Sequence, residues 1–223
     1  PSLPLVSFNR LHPMTFSFRN LIRSLRTAGC LLLLLAMPAG GLFLTPAGAQ
    51  PLPGIGEYEK LVGDDDQGDH FGWSVDTDGE VAVVGALEDH IDGVSEAGSA
   101  YLFRRTDSTW SVPTKLTATD GPQEDARFGQ SVGATDDLVV VGARKNGGKA
   151  YVYRWNGNSW NGTKLVSSDR ASGDAFGRAV AADVSSGTER VVVGARGDNT
   201  DTGAVYVYQW NGSTWNETKI TAS

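Results

Sequence analysis

The sequence predicts an all-β chain assembled from β-propeller blades, each of four antiparallel strands, and three observations carry that reading. A four-segment pattern recurs three times. Phe71-Gly72, Phe128-Gly129 and Phe176-Gly177 open the copies, and Val84-Gly85-Ala86, Val141-Gly142-Ala143 and Val193-Gly194-Ala195 end their second segments. Ala100-Tyr101-Leu102-Phe103, Ala150-Tyr151-Val152-Tyr153 and Val205-Tyr206-Val207-Tyr208 form the third, and Lys115-Leu116, Lys164-Leu165 and Lys219-Ile220 close the fourth. Each segment is short, β-branched or aromatic and bounded by Gly, Asn or Asp, which is strand and turn chemistry. Finally, 28 glycines accompany little helical periodicity. Self-similarity at about 50 residues with four strands per unit is the mark of propeller blades.

In chain order, residues 1–49 hold Arg10, Arg19, Arg23 and Arg26, no acidic residue, the run Leu31-Leu32-Leu33-Leu34-Leu35-Ala36-Met37 and then Ala47-Gly48-Ala49. A basic start, an apolar run and a small-x-small end read as a secretory signal peptide, with Met14 the plausible true start. The competing reading is a retained anchor, but the run is short and Pro38 interrupts it. Gln50 to Glu57, with two prolines and two glycines, reads as a linker. The repeats then occupy 58–223, with blades at about 71–116, 128–165 and 176–220. Tyr58-Glu59-Lys60-Leu61 matches a closing strand without opening strands before it. The second strands, such as Val81-Ala82-Val83-Val84 and Leu138-Val139-Val140-Val141, are nearly continuous apolar runs, as for strands covered on both faces. Asn156-Gly157 and Asn211-Gly212 supply tight reversals between third and fourth strands. Glycines inside the second strands mark close backbone approach, so Gly85, Gly142 and Gly194 should all resist larger side chains.

Charge narrows the partners. Removing the signal segment leaves 15 of the 19 Lys and Arg against 26 Asp and Glu. Such an acidic chain excludes nucleic acid and anionic membranes as natural partners, and no span follows the signal segment. The one Cys, Cys30, precedes the leucine run, so the repeats have no disulfide and no thiolate metal site.

The F-G…V-G-A…A-Y-V-Y pattern resembles FG-GAP repeats, the blade units of the integrin alpha-subunit propeller and of many exported bacterial proteins. The resemblance covers about residues 58–223. It implies a secreted, periplasmic or cell-surface propeller that binds protein or glycan ligands in adhesion, without catalysis. It also implies calcium, since such repeats often carry Asp-x-Asp-x-Asp-Gly-x-x-Asp between the first two strands. Here that slot reads Asp76-Thr77-Asp78-Gly79-Glu80, then Ala134-Thr135-Asp136-Asp137, then Asp183 to Glu189, and none has the full oxygen set. No calcium or other cofactor is therefore expected in those loops.

In a propeller, the fourth-to-first and second-to-third loops emerge at one rim. In this chain they hold 15 of the 26 acids. The ligand-face candidates are Asp64, Asp65, Asp66, Asp69, Asp89, Asp92, Asp125, Asp174, Asp198 and Asp201. Two readings stand side by side: a face for cationic or cation-bridged ligands, and a solubilising rim of turn-forming Asp. Trp155 with Trp160, and Trp210 with Trp215, are expected as cross-strand hairpin partners rather than sugar platforms. Arg196-Gly197-Asp198 is read as repeat drift. Asn161, Asn211 and Asn216 match glycosylation acceptors, two of them within Asn-Gly turns. No nucleophile elbow, His–carboxylate spacing or phosphate loop occurs. A propeller-type hydrolase using converging rim carboxylates stays as the alternative function. Three blades do not close a ring of the usual four to eight, so the expected ring of six or seven blades is incomplete. Further blades or a second chain would be needed, with apolar surface flanking Val81 to Val84 and Val191 to Val193 left bare.

Overall fold

The computed structural model of the protein describes residues 60–64, 68–107 and 109–222, all within the unit Ile55–Ser223. The signal segment, the linker, Tyr58-Glu59, Asp65 and Asp66 lie outside the described residues. The chain is all-β, in three antiparallel sheets whose strands follow chain order. Blade 1 holds β1 (Phe71–Thr77), β2 (Val81–Ala86), β3 (Ser99–Thr106), β4 (Thr109–Trp110) and β5 (Thr114–Leu116). Blade 2 holds β6 (Ser131–Thr135), β7 (Leu138–Ala143), β8 (Lys149–Trp155) and β9 (Trp160–Leu165). Blade 3 holds β10 (Phe176–Ser185), β11 (Thr188–Ala195), β12 (Ala204–Trp210) and β13 (Trp215–Thr221), with the short turn α1 (Asp198–Asp201) between β11 and β12.

Local chemistry explains the departures from an even repeat. The closing strand of blade 1 is split into β4 and β5, both paired with β3. Pro113 lies in the break, where it offers no N–H to the ladder. In blades 1 and 3 the register slips just after the Phe-Gly pair, between Phe71 and Ser74 and between Phe176 and Ala179. In the middle copy the strand begins at Ser131 instead of Phe128. Phe128 has turned to its neighbour: its N–H donates to the Ala97 carbonyl of the preceding blade at 3.0 Å. Lys60 to Asp64, which matches the end of a closing strand in sequence, forms no strand, yet Leu61 packs on the rear of blade 1.

The core is a stack of faces. Alternation sends Val81, Val83, Ala100, Leu102 and Leu116 forward from blade 1, where they meet Phe128, Val132, Val139, Val141, Tyr151 and Tyr153 on the rear of blade 2. The forward side of blade 2, with Leu138, Val140, Val152 and Leu165, meets Phe176, Val191, Val193, Tyr206 and Tyr208 of blade 3. All six residues of β2 and of β7 are buried, as their unbroken apolar runs require.

Two close approaches set the spacing of the stack. A Cβ on Gly85 would collide with the Gly129 carbonyl oxygen, and one on Gly142 with that of Gly177. The same carbonyls accept hydrogen bonds from Ser74 Oγ (2.7 Å) and Ser131 Oγ (2.9 Å). Gly194 departs from the expectation: a Cβ there would meet only Ala179, at 3.6 Å, because no described residue lies in front of blade 3. The bare apolar surface falls as expected on the forward face of blade 3, beside half-buried Val192, but lies on β1 and not beside β2 in blade 1. Val81, Val83, Val191 and Val193 are fully buried, and the exposure falls on Phe71, Trp73 and Val75 at one end and on Val205 and Ile220 at the other. The aromatic pair Tyr101 and Phe103, with Leu61 and Trp110, covers the rear of β2.

The acidic rim, a candidate functional site

The long loops meet at one end of the blades because their backbones pair. Asp125 N donates to Ser95 O (3.1 Å), Glu88 N to Asp69 O (3.3 Å) and Gly197 N to Asp174 O (2.9 Å). The β2–β3 and β11–β12 loops are thereby bound to the segments that lead into each blade.

On this frame the carboxylates are largely tied to lysines of the closing strands. In blade 1, Lys115 Nζ lies 2.6 Å from Asp64 and 2.8 Å from the fully buried Asp89. Asp89 also accepts from Ser99 Oγ at 2.5 Å. Blade 3 repeats the device: Lys219 Nζ reaches Asp169 (2.5 Å) and buried Asp198 (2.8 Å), with the Tyr206 hydroxyl against both carboxylates. Burial works against the charge on Lys115, but the hydrogen bonds it donates to Asp64 and Asp89 outweigh that and raise its pKa. Hydrogen bonds donated to Asp169 and then Asp198 raise that of Lys219.

Blade 2 inverts the stoichiometry. Asn146 and Lys149 stand where the other blades carry Asp and a small residue, so one carboxylate, Asp120, accepts from Lys149 (2.9 Å), Lys164 (3.3 Å) and the Tyr151 hydroxyl (2.7 Å). Burial opposes the Asp120 charge, yet Tyr151 and the two lysines hold its pKa well below the carboxylate range. Burial, then the hydrogen bond to Asp120, pushes the Tyr151 phenol upward.

The candidate residues thus divide by environment. Asp69, Asp89, Asp174 and Asp198 are buried. Asp174 accepts from the Ala171 N–H at 2.6 Å. Asp64 is held by Lys115, and Asp125 by Arg127 (2.8 Å) and Lys145 (3.3 Å). Asp92 and Asp201 are exposed, each at positive φ. Among the described residues, Asp64, Asp69 and Asp89 bring one carboxylate oxygen each within 4.8 Å of one another, the grouping best placed to hold a metal ion, with Lys115 already at its edge. A polar notch of about 250 Å³ between blades 1 and 2 is lined by Ser95, Glu96, Glu124, Asp125 and Arg127. Arg127 spans the joint to Glu96 at 2.9 Å.

Sequence reasoning took the β1–β2 and β6–β7 turns only as incomplete calcium slots and missed that they meet as a second acidic group. The Asp136 carboxyl is raised to about 6, first by its hydrogen bond with Asp78, then by burial and by the charges of Asp78, Glu80 and Asp137. The signal was present, since both turns occupy the same slot of successive copies. It could be found only by stacking the copies, because the two turns are far apart in the chain.

The tryptophan pairs are cross-strand neighbours in register, Trp155 with Trp160 and Trp210 with Trp215, at 5.5 and 5.4 Å between rings. They also latch blades together: the Arg104 guanidinium lies 4.8 Å over Trp155, and that of Arg154 4.2 Å over Trp210 while forking onto Glu189. Asp198 of Arg196-Gly197-Asp198 is buried beneath Lys219 and Tyr206, so that tripeptide is not displayed as a free motif.

No curated protein matches the chain. The FG-GAP repeat family matches it three times, over residues 56–103, 110–153 and 161–208. Each match is offset from a blade, running from the connecting or closing strand before it to its third strand. The second and third matches therefore each contain a blade-to-blade crossing together with the Phe-Gly pair, Val-Gly-Ala and aromatic strand that pack there. With these matches spread over more than half its length, the chain belongs to the FG-GAP repeat family.

Proposed function

We propose that this chain is an exported, non-enzymatic binding module that presents its acidic rim to a protein or glycan partner. The supporting observation is how the rim is built. Buried Asp89 and Asp198 are tied down by Lys115 and Lys219, and Asp120 by Lys149 and Lys164, which braces the loops. On that surface Asp92, Glu124 and Asp201 stay exposed, and among the described residues no cation pairs with their side chains. Preorganised loops carrying outward negative charge suit cationic groups on a partner, or sugars bridged by a cation. No helix among the described residues is long and apolar enough to cross a membrane, and the leader-like segment supports export.

The hydrolase alternative finds less support. Two cavities, of about 700 and 580 Å³, are open faces with mostly apolar linings at the two ends of the stack. Binding of a lysine-rich protein, measured at low and high salt, tests the proposal. The expected result is salt-sensitive binding that is weakened in the Asp92→Asn, Glu124→Gln, Asp201→Asn triple variant. Turnover of chromogenic glycosides or phosphoesters, with binding unchanged in that variant, would overturn it.

A further inference from the structure

The two internal joints show the same knob and the same socket. Phe128 and Phe176, each at the start of a blade, are fully buried, packed on the tyrosines of their own blade and against the blade before. The socket floor is glycine: a Cβ on Gly98 would strike Phe128, and one on Gly148 would strike Phe176. Its walls are Ala100 and Leu116 in the first joint, and Ala150 and Leu165 in the second.

Among the described residues, one knob and one socket have no neighbouring blade. Phe71, with Trp73 and Val75 beside it, stands exposed on the rear side of blade 1. On the forward side of blade 3, Gly203 takes the place of Gly98 and Gly148, and Val205 and Ile220 take the places of the alanine and leucine. Together with Gly194 and Ala179 they line the open cavity of about 700 Å³. A Cβ on Gly203 would meet only its own loop, at Arg196.

We propose that the forward face of blade 3 receives the Phe71-Gly72 edge of a second copy of this chain, a joint that adjoins the acidic rim at Asp201. Shape supports it, since both halves are variants of a contact made twice within the chain. Charge supports it too. At the second joint Arg144 faces the like charge of Arg178. Trp73 occupies the slot of Arg178 in blade 1, so Arg196 of one copy would meet an indole of the next, an attractive cation–π pair. Asp201 occupies the slot of Glu96, which pairs with Arg127 across the first joint, and its counterpart in the second copy is His70. Ala179 replaces Ser74 and Ser131, so the new joint lacks their hydroxyl-to-carbonyl bond and should form reversibly.

Sedimentation velocity of the full chain over a concentration series tests this. Concentration-dependent association is expected, weakened about tenfold or more by Phe71→Ala and by Gly194→Val, each singly. Ile220→Asp, at a surface position, gives a second test of the socket should Gly194→Val fold poorly. Mixing the Phe71→Ala chain, whose socket is intact, with the Gly194→Val chain, whose knob is intact, should restore one joint and stop at heterodimers. A monomeric wild-type chain overturns the proposal. So does association that both substitutions leave unmoved, as contact through Leu31 to Met37 would be.

Discussion

The internal joints and the end faces of the stack are built from the same repeat positions, yet they differ sharply in burial. Leu116 and Leu165 are nearly buried in the joints, whereas Ile220 in the same slot is 54 % exposed. Val132 is 9 % exposed, and its counterpart Val75 is 68 % exposed. Residue type is almost constant across these comparisons, so the neighbouring blade, and not the strand's own sequence, supplies most of the burial. A blade of this kind is half of two interfaces before it is a unit of its own.

The largest expected effect separates a joint phenylalanine from the end one. Phe128→Ala should cost about 3–5 kcal/mol, because the socket around it is formed by two rigid backbones and will not collapse. Phe71→Ala, one-third exposed and facing Gly63 and Tyr101, should cost about 1–2 kcal/mol in dilute protein. Urea midpoints of the two variants decide it. Equal losses would mean that the two faces are energetically alike.

A smaller effect sharpens the same contrast through the glycines. Gly142→Val forces a side chain into the Gly177 backbone and should cost about 1–3 kcal/mol by overpacking. Gly194→Val, with only ordinary contact to Ala179, should stay within about 0.5 kcal/mol of the parent at concentrations too low to associate. A destabilised Gly194→Val monomer would show that the glycine serves its own strand and not a neighbour.

Much of this contrast could be read from sequence because it follows from period and repetition. Alternation places Val81 and Val83 on one face, and threefold recurrence of Phe-Gly and Val-Gly-Ala identifies the strands. Three things were not readable. The sequence treats Gly194 as equal to Gly142, since its strand is the same and only a missing neighbour distinguishes it. The rim aspartates read as one acidic face, while buried Asp89 and Asp198 are each neutralised by a lysine about 20 to 30 residues away in the chain. Asn146 and Lys149 look like drift until Asp120 is seen between two ammonium groups.

Those ties offer the next comparison, one cation between two anions in blade 1 against one anion between two cations in blade 2. Asp120→Asn leaves the nearly buried Lys149 without its carboxylate, and Lys115→Met leaves Asp89 without its ammonium. Each should cost about 1–3 kcal/mol at neutral pH. Their pH windows lie at opposite ends. The Asp120 pKa is depressed, so its contribution is present above the ordinary value of 3.8 and drains away as pH falls below it. The Lys115 pKa is raised, so its contribution is whole below 10.5 and is lost as pH rises through the folded value. Urea titrations of both variants at pH 3, 7 and 10.5 should show the Asp120→Asn deficit shrinking only in acid. A flat Asp120→Asn deficit across this range would mean that shape, not charge, is what that tie supplies, whereas the Lys115→Met deficit should persist up to pH 10.5.

The smallest expected effect lies at the opposite end of the first joint, where Asp136 and Asp78 face each other. A carboxyl raised from 3.8 to about 6 binds its proton more tightly in the folded chain than in the unfolded one. Stability therefore rises as pH falls from above 6 toward 4, and the carboxylate pair is unfavourable at pH 7 and above. Asp136 is exposed, so solvent screens most of this, and about 0.5 kcal/mol is a fair magnitude. Asp136→Asn should thus be slightly more stable than the parent at pH 7.5, with the advantage gone near pH 4.5. Calcium sharpens the reading, because a cation seated between these turns would remove the repulsion and reverse the sign. If millimolar calcium stabilises the parent at pH 7.5 and leaves Asp136→Asn unmoved, the two turns form a shared cation site despite their incomplete loops. If calcium shifts both proteins equally, it is screening the acidic surface as a whole.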